Sequence, residues 1–141
     1  MKTRNMMLML VFVLSISLIL SAGTALAEEN GNPERIMIED ADMMAGFDLP
    51  TVGWARANEE GEIIGYRGVN LGLGYSEKRY FEPMEFEEFN VFWGFGTVAL
   101  ILPYVEIGGD YAFAQRDDGS FFTVGAAVGL YSGRVSASYR F

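Results

Sequence analysis

The sequence contains no cysteine and no histidine, and its net charge is −9. Without cysteine no disulfide framework can form. Without histidine the commonest general base and the commonest transition-metal ligand are missing, so a Ser-His-Asp triad is excluded. The negative charge also opposes binding to nucleic acid, because phosphates are contacted by Lys and Arg. We therefore predict a protein that is not an enzyme and has no nucleic-acid partner.

A long apolar run occurs at the N-terminus. Lys2 and Arg4 precede the almost wholly apolar residues 6–20, and Ala25-Leu26-Ala27 has the form of a signal-peptidase site. We interpret residues 1–27 as a cleaved signal helix. Cleavage would remove two of the ten cations and none of the nineteen acidic residues, leaving 114 residues with a net charge of −11. No later run of about 18 apolar residues predicts a transmembrane helix.

Residues 28–50 form an acidic leader whose composition differs from that of residues 51–141. Asn32-Pro33-Glu34 suits a helix N-cap followed by proline at the first helical position, and Gly46 suits a helix end. The residues support a short helix near 33–45 and a flexible leader equally well. We assign the remainder, residues 51–141, to a β-barrel domain.

From Thr51 onward, bulky and small residues alternate with the period of two that is typical of β-strands. Asp117-Asp118-Gly119-Ser120 has the composition of a hairpin turn, and Pro103 predicts a turn or a strand start. The charged residues 77–84 are predicted to form a loop. The candidate strands cover residues 51–58, 62–76, 89–100, 104–115, 122–130 and 133–141.

These six strands, with a seventh or eighth near residues 79–88 or within 28–50, predict an all-β fold. The expected architecture is a small antiparallel up-and-down barrel of six to eight strands. Its strands carry large apolar residues on one face and mainly Gly, Ala and Ser on the other. Lys78, the one lysine after the signal peptide, falls in the predicted loop. A soluble sheet would need long polar residues on its wet face. A narrow lumen lined by small residues, with bulky residues facing lipid, fits better.

Four charged residues, Arg67, Glu106, Asp110 and Arg140, are predicted to line the lumen. Because unpaired charges are costly there, we expect Glu106 and Asp110 to pair with Arg67, Arg56 or Arg140. Glu106 and Asp110 lie four residues apart on one strand face, or about 13 Å, which is too far for a glycosidase carboxylate pair.

Two acidic segments, Glu39-Asp40-Ala41-Asp42 and Asp117-Asp118-Gly119-Ser120, could supply oxygen ligands to Ca²⁺. Neither matches an EF-hand loop, and acidic turns are the commoner interpretation. We predict no metal site and no cofactor. A Ca²⁺-stabilised surface or adhesion module is a lesser alternative.

The chain ends in Gly133-Arg134-Val135-Ser136-Ala137-Ser138-Tyr139-Arg140-Phe141, an alternating strand with an aromatic last residue. This ending resembles the terminal strands of small outer-membrane β-barrels of the OmpA/OmpX type. Pro103–Tyr111 and Thr123–Gly129 resemble other strands of those barrels, so the similarity extends over residues 89–141.

The resemblance implies a location in the outer membrane of a Gram-negative cell envelope. It also implies that Tyr139 and Phe141 act as an insertion signal, with outer-membrane lipid and the barrel-assembly machinery as partners. In those barrels the strand that begins like Pro103 runs away from the periplasm. Three strands counted from Pro103 would then leave Phe141 on the outer side.

The expected role is structural or surface-interacting, without catalysis. A barrel this small has its interior filled by side chains, so we predict no general diffusion pore. The main alternative is a soluble periplasmic β-barrel that encloses a hydrophobic ligand, in which case the bulky strand faces would point inward.

Overall fold

A computed structural model describes residues 34–71, 73–130 and 133–141, which form a closed antiparallel β-barrel. Each strand pairs with its neighbours in sequence, and the last pairs with the first. The predicted all-β, up-and-down barrel is thus confirmed, with eight strands. The strands are β1 (Met43–Phe47), β2 (Val52–Ala57), β3 (Ile63–Asn70), β4 (Gly74–Tyr80), β5 (Phe89–Val98), β6 (Leu102–Phe113), β7 (Phe121–Gly129) and β8 (Gly133–Arg140).

The signal peptide predicted for residues 1–27 lies outside the described residues. Within those residues, the structure has no helix long and apolar enough to cross a membrane.

The strand predicted for residues 62–76 is in fact two strands, β3 and β4, joined by a turn at Leu71 and Leu73. β4 continues to Tyr80, so the prediction of a loop at residues 77–84 is wrong for residues 77–80. The turn escaped prediction because its leucines continue the apolar pattern of the strands on either side. Leu73 nevertheless adopts φ +55°, a conformation for which Gly or Asn is the usual choice.

The helix considered for residues 33–45 is absent from the described part of that segment. Residues 34–42 instead run across one end of the barrel, where Ile36 N donates to Met84 O at 3.0 Å and Ile63 N donates to Ile36 O at 2.9 Å. Ile36, Ile63 and Met84 are buried together. An isolated short helix is marginal, so this packing decides the conformation. The barrel accordingly begins at Met43, inside the segment assigned to the leader.

The two ends of the barrel differ in loop length. The end at which the chain terminates, which we call the terminal end, has loops of five, eight and seven residues. The opposite end, which we call the far end, has turns of three or four residues. Pro103 starts β6 at the far end, whereas Phe141 lies at the terminal end. Pro103 and Phe141 thus lie at opposite ends, as three strands counted from Pro103 require, and the strand direction relative to a membrane stays a prediction. The terminal end comprises residues 34–42, 58–62, 81–88, 114–120 and Phe141, and the described residues of the far end are 48–51, 71, 73, 99–101 and 130.

The lumen has an apolar part towards the terminal end and a charged part beside it. Buried apolar residues gather where the segment 34–42 crosses the barrel. The hydroxyl of Tyr66 donates to the carbonyl of Ala41 at 3.2 Å and so ties this segment to the barrel wall. The terminal end is consequently closed, and polar side chains occupy the rest of the lumen.

Candidate functional site

Six charged side chains meet inside the barrel, three acidic and three basic, and we call them the interior charge cluster. Lys78 and Arg140 are completely buried, at 0% exposure each. Burial of unpaired ions is very costly, so equal numbers of the two signs are required here. The cluster consists of Asp48 in the β1–β2 turn, Lys78 on β4, Glu106 and Asp110 on β6, and Arg134 and Arg140 on β8.

Lys78 lies at the centre of the cluster between two carboxylates. Its Nζ is 2.7 Å from Asp48 Oδ2 and 2.8 Å from Asp110 Oδ2. The same oxygen of Asp110 accepts a hydrogen bond from the Tyr80 hydroxyl at 2.7 Å and lies 3.3 Å from Arg140 Nη2. Asp110 Oδ2 therefore receives three donors from β4 and β8, and these bonds join opposite walls of the barrel.

Aromatic rings supply further contacts to the two fully buried cations. Lys78 Nζ lies 4.1 Å from the centroid of the Phe92 ring, and Arg140 Cζ lies 4.1 Å from that of Tyr66. Cation–π contacts of this kind are strongest when both groups are desolvated. Each of these cations therefore contacts an aromatic ring as well as carboxylates.

Arg134 connects the cluster to the far end. Its Nε and Nη2 donate to the two oxygens of Glu106 at 2.9 and 2.6 Å, and its Nη1 donates to Asp48 Oδ1 at 2.8 Å. The bidentate geometry makes this a strong, oriented pair. Since Asp48 also binds Lys78, one carboxylate links the outer and inner parts of the cluster.

The structure places three of the four predicted lumen residues inside the barrel: Glu106, Asp110 and Arg140. Arg67 lies instead on the outer wall and is exposed, because it faces outward from β3 opposite Trp54 and Glu77. Glu106 pairs with Arg134, which was not among its expected partners.

Three members of the cluster were missed from the sequence. Arg134 has the same strand parity as Arg140, so the period of two could have identified it. Lys78 would have followed from the same rule had the turn at Leu71 and Leu73 been recognised. Asp48 offered no such signal, because it belongs to a turn and its inward direction depends on the tertiary fold.

Towards the far end, the lumen opens into a cleft of about 290 Å³. Its polar lining is formed by Asp48, Thr51, Asn70 and Arg134, and its rim is apolar. Asn70 is held by hydrogen bonds to Ser76 Oγ and to the carbonyl of Thr97. The cleft therefore ends on the charge cluster. The rim residues are Phe47, Leu49, Leu71 and Val98.

No family model, curated protein or solved structure matches this chain. Its function must therefore be argued from its own residues. Within residues 34–71, 73–130 and 133–141, no group of three or more acidic side chains is arranged to hold a metal ion. In the turn Asp117–Ser120, Asp118 Oδ1 accepts hydrogen bonds from the backbone amide and hydroxyl of Ser120. Gly119 there has φ +82°, as a tight hairpin connection requires.

The predicted insertion signal lies on the outer wall at the terminal end. The ring centroid of Tyr139 is 4.9 Å from that of Phe122 and 5.6 Å from that of Phe141. The Tyr139 hydroxyl donates to Ser120 Oγ at 2.7 Å. This aromatic group suits a membrane interface, where rings with a polar tip are favoured. Its role as an insertion signal stays a prediction.

Enlarging Gly125 is expected to disturb the charge cluster. A Cβ on this inward residue of β7 would collide with Asp110 Oδ1 and lie 2.9 Å from Ser136 Oγ. Because such overpacking shifts neighbouring groups, Gly125→Val should lower the free energy of unfolding by about 1–3 kcal/mol. Urea unfolding in detergent, followed by circular dichroism, measures this. Ala126→Val, on the outward face of the same strand, should be nearly neutral, and equal losses in the two variants would contradict the expectation.

Glu85 is expected to contribute stability to the barrel as the pH falls. Burial raises the pKa of Glu85, and three nearby glutamates raise it further, although Arg35 opposes them. The folded state thus binds this proton more readily than the unfolded state. Its contribution to stability is therefore gained as the pH falls towards the ordinary value of 4.5 and lost as the pH rises. The glutamates are Glu88, Glu82 and Glu62.

Urea unfolding in detergent at pH 7 and pH 5 measures this contribution. Glu85→Gln cannot titrate, so the free energy of unfolding of the wild-type chain should rise relative to that of the variant as the pH falls. Arg35 Nε lies 2.8 Å from Glu85 Oε1, so the variant also loses an ion pair, and only the change of the difference with pH is diagnostic. A difference that does not vary with pH would show that another group is responsible.

Proposed function

We propose that this chain is a small outer-membrane β-barrel protein with a structural or surface-interaction role, without catalysis and without a large pore. The observation that carries the proposal is the distribution of polarity. Charged side chains fill the lumen, and large apolar side chains cover the outside. A water-soluble barrel would lose stability from this arrangement, whereas lipid favours it.

Apolar residues are exposed on the outer surface of β6, β7 and β8. Val135 is 85% exposed, and Val105, Ile107 and Val124 are between 42% and 51% exposed. These residues alternate with the inward residues of the same strands, so their exposure is a consequence of strand geometry. Bulky faces that point outward do not favour the soluble barrel with an enclosed hydrophobic ligand.

The turns of the far end present large apolar residues to the exterior. Leu71, Leu73, Leu100, Ile101 and Leu130 are each between 71% and 79% exposed. Leu100 adopts φ +65° within a hairpin turn for which Asn-Gly is the favoured pair. An apolar turn of this kind is a poor choice for water, and it supports placement of the far end in lipid.

The terminal end has the opposite character. Its segments contain thirteen acidic residues and two arginines, Arg35 and Arg116. Such a charged surface requires water. We therefore place the terminal end in the aqueous phase and the far end in the bilayer. The charge cluster and the segment 34–42 together fill the lumen, which argues against a large pore.

Fractionation of Gram-negative cells that express the full chain tests the proposal. The protein should remain with the outer membrane, resist extraction by urea and migrate differently on gels after boiling. It should give no stable large conductance in planar bilayers. Recovery in the soluble periplasmic fraction would contradict the location. A melting temperature that rises with Ca²⁺ would instead favour the adhesion-module alternative.

A further inference from the structure

Three arginines lie close together on the outer wall, on adjacent strands. Arg67 on β3 is directly opposite Glu77 on β4. Arg56 and Arg79 are both paired in register with Gly65, one on each side of it. Diagonal neighbours in a sheet are about 7–8 Å apart, so the three guanidinium groups can reach one small anion. We call Arg56, Arg67, Arg79 and Glu77 the outer arginine patch.

The patch has an excess of positive charge. Glu77 Oε1 accepts from Arg56 and, at 2.6 Å, from Arg79, while Glu77 Oε2 accepts from Tyr75 at 2.9 Å. The carboxylate is only 7% exposed, whereas the side chains of Arg56 and Arg79 are 37% and 43% exposed. Arg67 is exposed too and forms no ion pair within the described part of the chain. Three cations therefore surround one covered anion, in a chain whose net charge is −9.

Aromatic rings border the patch. Arg79 Cζ lies 5.5 Å from the ring centroid of Trp93 and 5.8 Å from that of Phe95, and these two rings stack. Trp54, opposite Arg67, is half exposed. Tryptophan is enriched where a membrane protein passes from hydrocarbon to headgroups.

The patch also lies where the apolar surface of β2 to β4 ends. These strands have six, eight and seven residues, fewer than the 9–11 of a typical membrane-spanning strand. Towards the far end their exposed residues are apolar: Val52, Val69 and Tyr75. A molecule that fits this surface has an anionic group beside a long apolar chain.

We propose that the outer arginine patch binds the phosphate of an anionic lipid, whose acyl chains lie along β2 to β4 towards the far end. Arginine suits this ligand because its planar donors match phosphate oxygens in pairs. The inference rests on the proposed membrane location. It adds a defined lipid site on one side of the barrel.

Tryptophan fluorescence tests the site directly, because the only two tryptophans of the chain, Trp54 and Trp93, border the patch. The full chain is inserted into phosphatidylcholine vesicles that contain a small fraction of brominated phosphatidylglycerol or of brominated phosphatidylcholine. Bromine quenches tryptophan at short range. The anionic lipid should quench tryptophan fluorescence more than the neutral lipid does. If one arginine contacts the headgroup, the association constant of the anionic lipid should be roughly fivefold that of the neutral lipid.

Arg67→Gln should reduce this preference, and Arg56→Gln, Arg67→Gln and Arg79→Gln together should abolish it. The single variant keeps the test decisive if the triple variant does not fold, because Arg67 forms no ion pair in the described residues. Arg116→Gln, a matched loss of charge at the terminal end, should leave the preference unchanged.

The outcomes separate the lipid site from the membrane location. Quenching by both lipids without an anionic preference, or a preference that survives in Arg67→Gln and in the triple variant, would overturn the site alone. Absence of quenching by either lipid would overturn the membrane location and the site with it.

Discussion

Replacing Lys78 with Met should destabilise the barrel by about 3–5 kcal/mol, the usual cost of leaving a buried charge without its partner. Lys78 is completely buried and is the shared partner of Asp48 and Asp110. Methionine fills a similar volume, so the loss would come mainly from charge. Two carboxylates would then face each other in a lumen with one excess negative charge.

A double-mutant cycle distinguishes this electrostatic cause from a packing defect. Asp110→Asn in the Lys78→Met background removes the excess charge, while Asp48 keeps its contact with Arg134. The two substitutions together should therefore cost less than the sum of their separate effects, with a coupling of about 0.5–3 kcal/mol. Urea unfolding in detergent measures each variant. Additive losses would mean that Lys78 acts through its packing against Phe92 rather than through its charge.

Sequence alone predicted the second half of the barrel better than the first, and the reason is local. In β5 to β8 the alternation of bulky and small residues is long, and Asp117–Ser120 is a clear hairpin turn. β1 has the sequence Met-Met-Ala-Gly-Phe, which lacks such alternation. Its strand conformation depends on pairing with β2 and β8, and the contacts with β8 are distant in sequence.

The interior charge cluster was predictable in part. Strand parity identified Glu106, Asp110 and Arg140, because every second residue of a strand lies on the same face of the sheet. Arg67 has the parity of Val69, which faces outward on β3, so the same rule places Arg67 on the outer wall and its assignment to the lumen was wrong. On β4 both faces carry charge, with Lys78 inward and Glu77 and Arg79 outward. Lys78 has the parity of the buried Gly74 and Ser76, which becomes visible only when β4 is recognised as a separate strand.

Arginines at the far end should abolish stable membrane association. We expect the variant Leu73→Arg, Leu100→Arg and Leu130→Arg to fold in detergent, because these side chains are exposed and contribute little to packing. Each arginine held in hydrocarbon costs about 2–4 kcal/mol, and less near an interface. The partition coefficient into neutral phosphatidylcholine vesicles should therefore fall by several orders of magnitude if all three turns are embedded.

A matched control changes the charge by the same amount at the other end. Glu59→Gln, Glu87→Gln and Asp117→Asn also add three units of charge, at exposed positions of the terminal end. Because we place that end in water, this variant should partition like the wild-type chain. Flotation of vesicles on a density gradient measures both. Equal partitioning of the two variants would mean that the far end is not embedded in lipid. The exposed apolar side chains of its turns would then have to be covered by something other than the bilayer.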